Sequence, residues 1–202
     1  MASPIAHSII GLAMGAAAIL PRSESPRALS RHAARAWKPL LACVLIACAP
    51  DIDYIPGLFQ CDFNMFHQRH THSMLWVAIF AFMAWLVARA RNPDAGPRAM
   101  AFLFALAFSH LAIDLLTDDA SVPRGIMIAW PFSDRYLFLP FHVFPRMAKR
   151  EWTEILNTRN FAVAGFEVAA TLPFLAAAIL WKIRPGVAVP QGMPVTADER
   201  NP

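Results

Sequence analysis

Five uncharged apolar stretches divide the chain, at about residues 4–20, 39–49, 73–88, 99–113 and 161–181, the last interrupted only by Glu167. A helix that crosses a bilayer needs roughly 20 apolar residues, with a lower limit near 17. Inside lipid, only helices and closed barrels satisfy their own backbone. The fifth stretch meets the length, and the first, third and fourth approach it once flanking residues are counted. The second is too short on its own apolar length. Either it borrows Trp37, Lys38 and the Asp-Ile-Asp-Tyr run, or what it carries sits below the membrane surface; the second reading is preferred here. Hydrophobic residues fill 57% of the 202 positions and charged ones only 16%, which is a membrane composition. The expected fold is all-α: one integral membrane bundle of about five transmembrane helices over residues 1–184, with a flexible tail at 185–202. The first stretch is read as a retained helix rather than a cleaved signal, because no positive charge precedes it and it carries His7.

Charge in the connections sets the orientation. Between Pro21 and Lys38, Arg22, Arg27, Arg31, Arg35 and Lys38 face only Glu24, and between Ala88 and Arg98, Arg89, Arg91 and Arg98 face Asp94. Between Pro50 and His72, a single Arg69 faces Asp51, Asp53 and Asp62. The basic connections belong in the cytoplasm, so the acidic one lies outside. The connection 117–159 carries six basic and five acidic residues and follows the rule weakly; it is placed outside as well. Basic cytoplasmic loops account for the net charge of +4, so no nucleic-acid partner is expected. Cys43, Cys48 and Cys61 form neither an even framework nor a CxxC, and Cys43 and Cys48, in an apolar helix, are read as packing residues.

With that threading, His7, Asp51, Asp53, His67, His72, His110 and Asp114 all fall at the extracytoplasmic ends of their segments. Polar residues placed without purpose would divide between the two sides. His110 and Asp114, four apart, project from one helix face, and an ionisable pair in an apolar helix is costly unless paired or metal-bound. The two Asp of Asp51-Ile-Asp53 follow a helix that Pro50 stops. His67-Gln-Arg-His-Thr-His72 is a dense histidine run, with Ser73 or Thr71 available to cap the next helix. Imidazole suits zinc, and carboxylates can bridge two ions. Seven donors exceed the four of a structural zinc site and favour a catalytic centre with two or three ions. His32 and His142 are read as ordinary polar residues.

At these positions the chain resembles the YdjM-like family of bacterial inner-membrane metal-dependent hydrolases. The matching pieces are His7-Ser-Ile-Ile-Gly11, Pro50-Asp-Ile-Asp53, His67 with Thr71-His72-Ser73, His110-Leu-Ala-Ile-Asp114 with Thr117, and Trp130-Pro-Phe-Ser-Asp-Arg135. They run in the family's order over roughly residues 1–140. More remotely, the pattern is similar to the zinc-dependent phospholipase C and single-strand nuclease superfamily. The resemblance implies a helical inner-membrane protein with those seven residues as ligands. Two positions depart from it: Gln68 and Arg69 stand where Arg and then Gly are usual, and His70 occupies a variable position, which leaves His67 and His70 competing for one ligand role.

From Trp130 to Trp152 the chain is dense in aromatics broken by Pro131, Pro140 and Pro145, which favours the headgroup layer. The segment is read either as a lid over the site or as an interfacial anchor. Arg135 or Arg124 is placed to meet a phosphate, and Arg69 is a second substrate-binding candidate. The expected activity is hydrolysis of a phosphoester in a lipid or lipid-linked substrate by metal-activated water, with Asp53 or Asp51 accepting the proton. The alternative is a non-catalytic membrane interaction or regulatory protein with a structural metal. A metal transporter is disfavoured, because transport needs ligands near the midplane.

Overall fold

The computed structural model describes residues 2–60, 62, 67–119, 123–148 and 152–183. The expected tail at 185–202, together with Cys61 and Arg184, lies outside the described residues. Among those described, the chain is helical, with α1 (Pro4–Ile19), α2 (Pro26–Arg35), α3 (Trp37–Ala47), α4 (Tyr54–Phe59), α5 (Met74–Arg91), α6 (Pro97–Leu115), α7 (Trp152–Ile155) and α8 (Thr158–Lys182). Two 3-10 turns, Ala49–Asp53 and His70–His72, sit between α3 and α4 and before α5. Extended pairing is limited to isolated bridges.

Three helices are long and apolar enough to span: α5, α6 and α8. α3 and the segment Ala49–Gly57 reach spanning length only together, with a 63° bend between them, and α1 has 16 residues. The expected five spans thus meet three helices of full length, or four with the bent pair. The reason is local. Pro50 breaks the α3 pattern where the Asp residues begin, and α1 is confined between its Ser3 cap and Pro21. Large apolar side chains point outward, among them Leu45 at 61%, Phe174 at 62% and Leu180 at 68% exposure, as expected of a lipid-facing surface.

Helix starts follow their capping chemistry. Ser3 caps α1 by accepting from Ile5 N, with Pro4 in the first turn, and Asn157 caps α8. Of the two expected caps of α5, Ser73 takes the role, accepting from Trp76 N and donating to the His70 carbonyl. α1 packs chiefly on α3 and α8, α5 on α6, and α3 on α6. Small residues make the α1–α3 contact possible. A Cβ at Gly11 would stand 2.7 Å from the Ala47 Cβ, and one at Gly15 would stand 3.0 Å from Cys43. Glycines four apart let helix backbones close up in a membrane. Cys43 is buried in this contact, in keeping with its packing role.

The connection between α6 and α7 folds back over one end of the bundle. Val143 N and Phe144 N donate to the Leu116 carbonyl, Met127 N to the Gln68 carbonyl, and Met74 N to the Ile128 carbonyl. Ile126, Met127 and Phe144 turn inward and are buried, whereas Phe132, at 92% exposure, and Phe141 face out. Gly125 permits the fold-back, since at φ +96° a Cβ there would lie 2.0 Å from the Leu137 carbonyl oxygen.

Candidate metal centre

Four separate elements deliver the His and Asp residues to the same end of the bundle. α1 brings His7 one turn after its cap. α3 stops at Ala47, and the Pro50 turn swings Asp51 and Asp53 under it. The turn before α5 supplies His72, and the last turns of α6 supply His110 and Asp114. His7, His72 and His110 are fully buried, and Asp114, Asp53 and His67 nearly so. The Ala47 carbonyl, left without an intrahelical partner at the end of α3, accepts from His110 Nδ1 at 2.8 Å. That bond puts the proton on Nδ1 and leaves Nε2 with a free lone pair, the usual second contact of a ligating imidazole.

The inner donors stand at ligand-to-ligand spacing. His110 Nε2 is 3.3 Å from His72 Nε2, 3.4 Å from Asp51 Oδ1 and 3.1 Å from Asp114 Oδ2. His72 Nε2 is 3.7 Å from Asp51 Oδ1 and 3.4 Å from Asp114 Oδ2. Donors bound tetrahedrally to one ion at 2.0–2.1 Å stand about 3.4 Å apart. His7 Nε2 approaches the other oxygen of the same carboxylate, Asp114 Oδ1, at 3.4 Å, and its ring stacks on His110. The cluster resolves into three overlapping trios able to hold an ion: His7, His110 and Asp114; Asp51, His72 and His110; Asp53, His67 and His72.

Hydrogen bonding tests whether an ion belongs there. Seven buried side-chain nitrogen and oxygen atoms among the described residues find no hydrogen-bond partner, and six of them are the ring nitrogens of His7 and the carboxylate oxygens of Asp51 and Asp114. The neighbouring imidazoles lie within ion-pair distance of these carboxylates but are not aligned to donate to them. Buried polar groups are normally satisfied, and a buried carboxylate without a partner costs several kcal/mol. Orphans confined to one cluster of His and Asp are what the donor set of a metal would leave. The residues fit the group.

The outer part of the cluster is complete in itself. Asp53 Oδ1 is 2.8 Å from His67 Nδ1, while Asp53 Oδ2 accepts from the Thr71 hydroxyl at 2.6 Å and lies 3.2 Å from His72 Nδ1. His67 Nε2 meets the Tyr54 hydroxyl at 2.5 Å, and the two rings stack. Burial alone would lower the pKa of His72. Its contacts with Asp114, Asp51 and Asp53 outweigh that and hold it well above the ordinary histidine value.

All seven expected ligands are brought together, and His67 rather than His70 enters the cluster. His70 is exposed, with its ring against Trp130. The cluster also contains two residues the sequence reading did not assign to it. Tyr54 directly follows Asp53, and Thr71 stands in the sequence as part of the Thr71-His72-Ser73 piece and as a possible cap, without a role of its own in the cluster. A third addition is more distant: Ser3 N donates to Glu167 Oε1 at 2.7 Å and the Ser3 hydroxyl bonds the same carboxylate, which ties α8 to the helix that carries His7. Only long-range packing reveals that bond. Arg69 and Arg135, both exposed, make no side-chain hydrogen bond or ion pair with the cluster among the described residues, and Arg124 lies over Phe138. Beside Asp114, a cavity of about 10 Å³, lined also by Gln68, Thr117 and Asp119, has room for about one water. Gln68, at φ +69°, donates through Nε2 to Asp119 Oδ2 there.

Comparison with known proteins agrees with this architecture. A curated inner membrane protein, YbcI of Escherichia coli (strain K12), is 22% identical over 180 residues, covering 88% of this chain and 86% of its own. No solved structure matches the chain. The model of the YdjM inner membrane protein family matches residues 1–188, a span that takes in every His and Asp of the cluster and all the described helices, and on that match the chain is a membrane protein that belongs to the YdjM family.

Proposed function

We propose that the chain is a membrane-bound, metal-dependent hydrolase, with zinc the expected ion, that cleaves a phosphoester of a lipid or lipid-linked substrate. The observation that supports this most directly is the set of orphaned buried atoms on His7, Asp51 and Asp114 facing the Nε2 atoms of His72 and His110. Asp51, His72, His110 and Asp114 would hold one ion. His7, with the second oxygen of Asp114, offers a neighbouring position, so the expectation of two or three ions remains part of the proposal. A bound divalent ion supplies the charge that lowers the pKa of a water toward about 7 and polarises a phosphoryl oxygen.

The residues of the chain do the rest. Asp53 fixes the tautomer of His67, and the Thr71 hydroxyl, which donates to Asp53 Oδ2, accepts from His72 Nδ1 at 3.2 Å and so aims the His72 Nε2 lone pair inward. Of the two Asp residues expected to accept a proton, Asp51 retains open oxygens, whereas those of Asp53 are occupied by His67 and Thr71; the acceptor role therefore falls to Asp51. Arg69 and Arg135 remain the candidates for meeting the phosphate, on an extracytoplasmic face of the inner membrane.

One observation favours a second reading. The cluster is enclosed, with His7, His72 and His110 at 0% exposure, and closed sites are the habit of structural metals. Under that reading the chain is a non-catalytic membrane interaction protein. The readings separate in purified protein. Elemental analysis should find stoichiometric metal that His110→Ala removes, and the loaded protein should cleave a phospholipid phosphoester, with activity lost in Asp51→Asn. Metal without cleavage would favour the structural role, and a preparation without metal would sink both.

A further inference from the structure

The end of the bundle away from the His/Asp cluster carries a different feature. There α1, α2, α3 and α8 surround an open groove of about 250 Å³, walled by Leu20, Leu29, Ala33, Leu40, Leu175 and Ile179. α2 turns Pro26, Leu29 and Ala33 to the groove and sends Arg27, Arg31 and Arg35 to its other side, where all three are exposed. At the groove's edge Ser23 N donates to the Lys182 carbonyl at 2.8 Å, and the Ser23–Ile183 bridge joins the start of the α1–α2 connection to the end of α8. That closure sets two cations on one ring: the Arg22 guanidinium carbon lies 5.4 Å from the Trp181 ring centroid and the Lys182 ammonium 4.7 Å from it.

No carboxylate pairs with Arg22, Arg27, Arg31, Arg35, Lys38 or Lys182 among the described residues. Two cations without a carboxylate partner, Arg22 and Lys182, thus stand at the edge of an apolar slot that no side chain fills. A phosphate answers the cations and a hydrocarbon chain answers the slot. Lipids with a neutral headgroup bring their own ammonium and gain less from such a border.

We propose that this groove binds one anionic phospholipid, with an acyl chain along the Leu29–Leu175 wall and the phosphate at Arg22 and Lys182. The site is separate from the metal centre and stands whatever that centre does.

The test uses the full-length chain in detergent, given equal amounts of phosphatidylglycerol and phosphatidylcholine with matched acyl chains and read by native mass spectrometry. Phosphatidylglycerol should be retained in preference, and the Arg22→Gln and Lys182→Gln variants should each lose about five-fold in its retention. Ala33→Trp, which fills the groove, should lose it as well, and Arg91→Gln, a cation elsewhere, should not. A single elution peak and an unchanged unfolding temperature show that each variant is folded. Equal retention of the two lipids, or phosphatidylglycerol binding indifferent to all three variants, would overturn the proposal. So would a groove that takes lipid only after deletion of residues 185–202, since the occupant would then be the chain itself.

Discussion

The two halves of the His/Asp cluster are built from the same residue types and finished differently. Around Asp53, each side-chain oxygen meets a donor, and His67 has a partner at both ring nitrogens. Around Asp51 and Asp114, a few ångströms away, the carboxylate oxygens meet none. A fold that can satisfy both oxygens of one buried carboxylate could have done so for its neighbours. The contrast supports the proposed metal, with the open half offering its donors to an ion and the closed half holding them in shape.

The sharpest way to break this contrast is to remove one member from each half. Asp114→Asn or His110→Ala should reduce zinc affinity by well over about 100-fold, whereas Asp53→Asn or Tyr54→Phe should cost about 10–100-fold, the usual effect of a group that orients a ligand. Competition against a chelator measures both, and equal losses in the two halves would erase the distinction. Next in size is Gly11→Val. The new side chain must push α1 off Ala47, which should cost about 1–3 kcal/mol of stability and loosen His7, seen as a lower unfolding temperature together with weaker zinc binding.

Acidity sharpens the comparison further. The pKa of His72 is raised in the folded, metal-free chain. Its contribution to stability is therefore fully present below the unfolded histidine value, about 6.5, and lost as pH rises through the folded value. An ion must displace that proton, so zinc affinity should increase with pH over the same interval. Unfolding temperatures of chelated and zinc-loaded protein should accordingly diverge as pH rises, and parallel curves would contradict the assignment. The smallest effect belongs to His70→Ala, which should leave metal content unchanged because that ring rests on Trp130.

Much of this arrangement was legible in the sequence, because membrane threading turns order along the chain into depth. Once α1, α3, α5 and α6 alternate in direction, His7, Asp51, His72 and His110 must reach one end. The division of labour inside the cluster was not legible. Asp51 and Asp53 look equivalent in a D-x-D, and only the turn after Pro50 shows one facing His72 and His110 without a hydrogen bond and the other bonded to His67 and Thr71. Tyr54 was hidden for the same reason, its phenol being one more aromatic until His67 stacks on it. The count of five spans rests on α1, which has only 16 residues, and on α3, whose 63° bend into Ala49–Gly57 hydropathy does not register. Glu167 had no visible role because its partner, Ser3, lies 164 positions away.

That last bond has a bearing on biogenesis. His7 emerges from the ribosome long before Glu167, yet that carboxylate, which grips the start of the His7 helix, enters the bilayer only with α8. Until then the first ligand lacks its anchor. A nascent chain arrested before residue 158 should consequently load zinc poorly even though all seven donors have already been made, which would put metal acquisition after the insertion of α8.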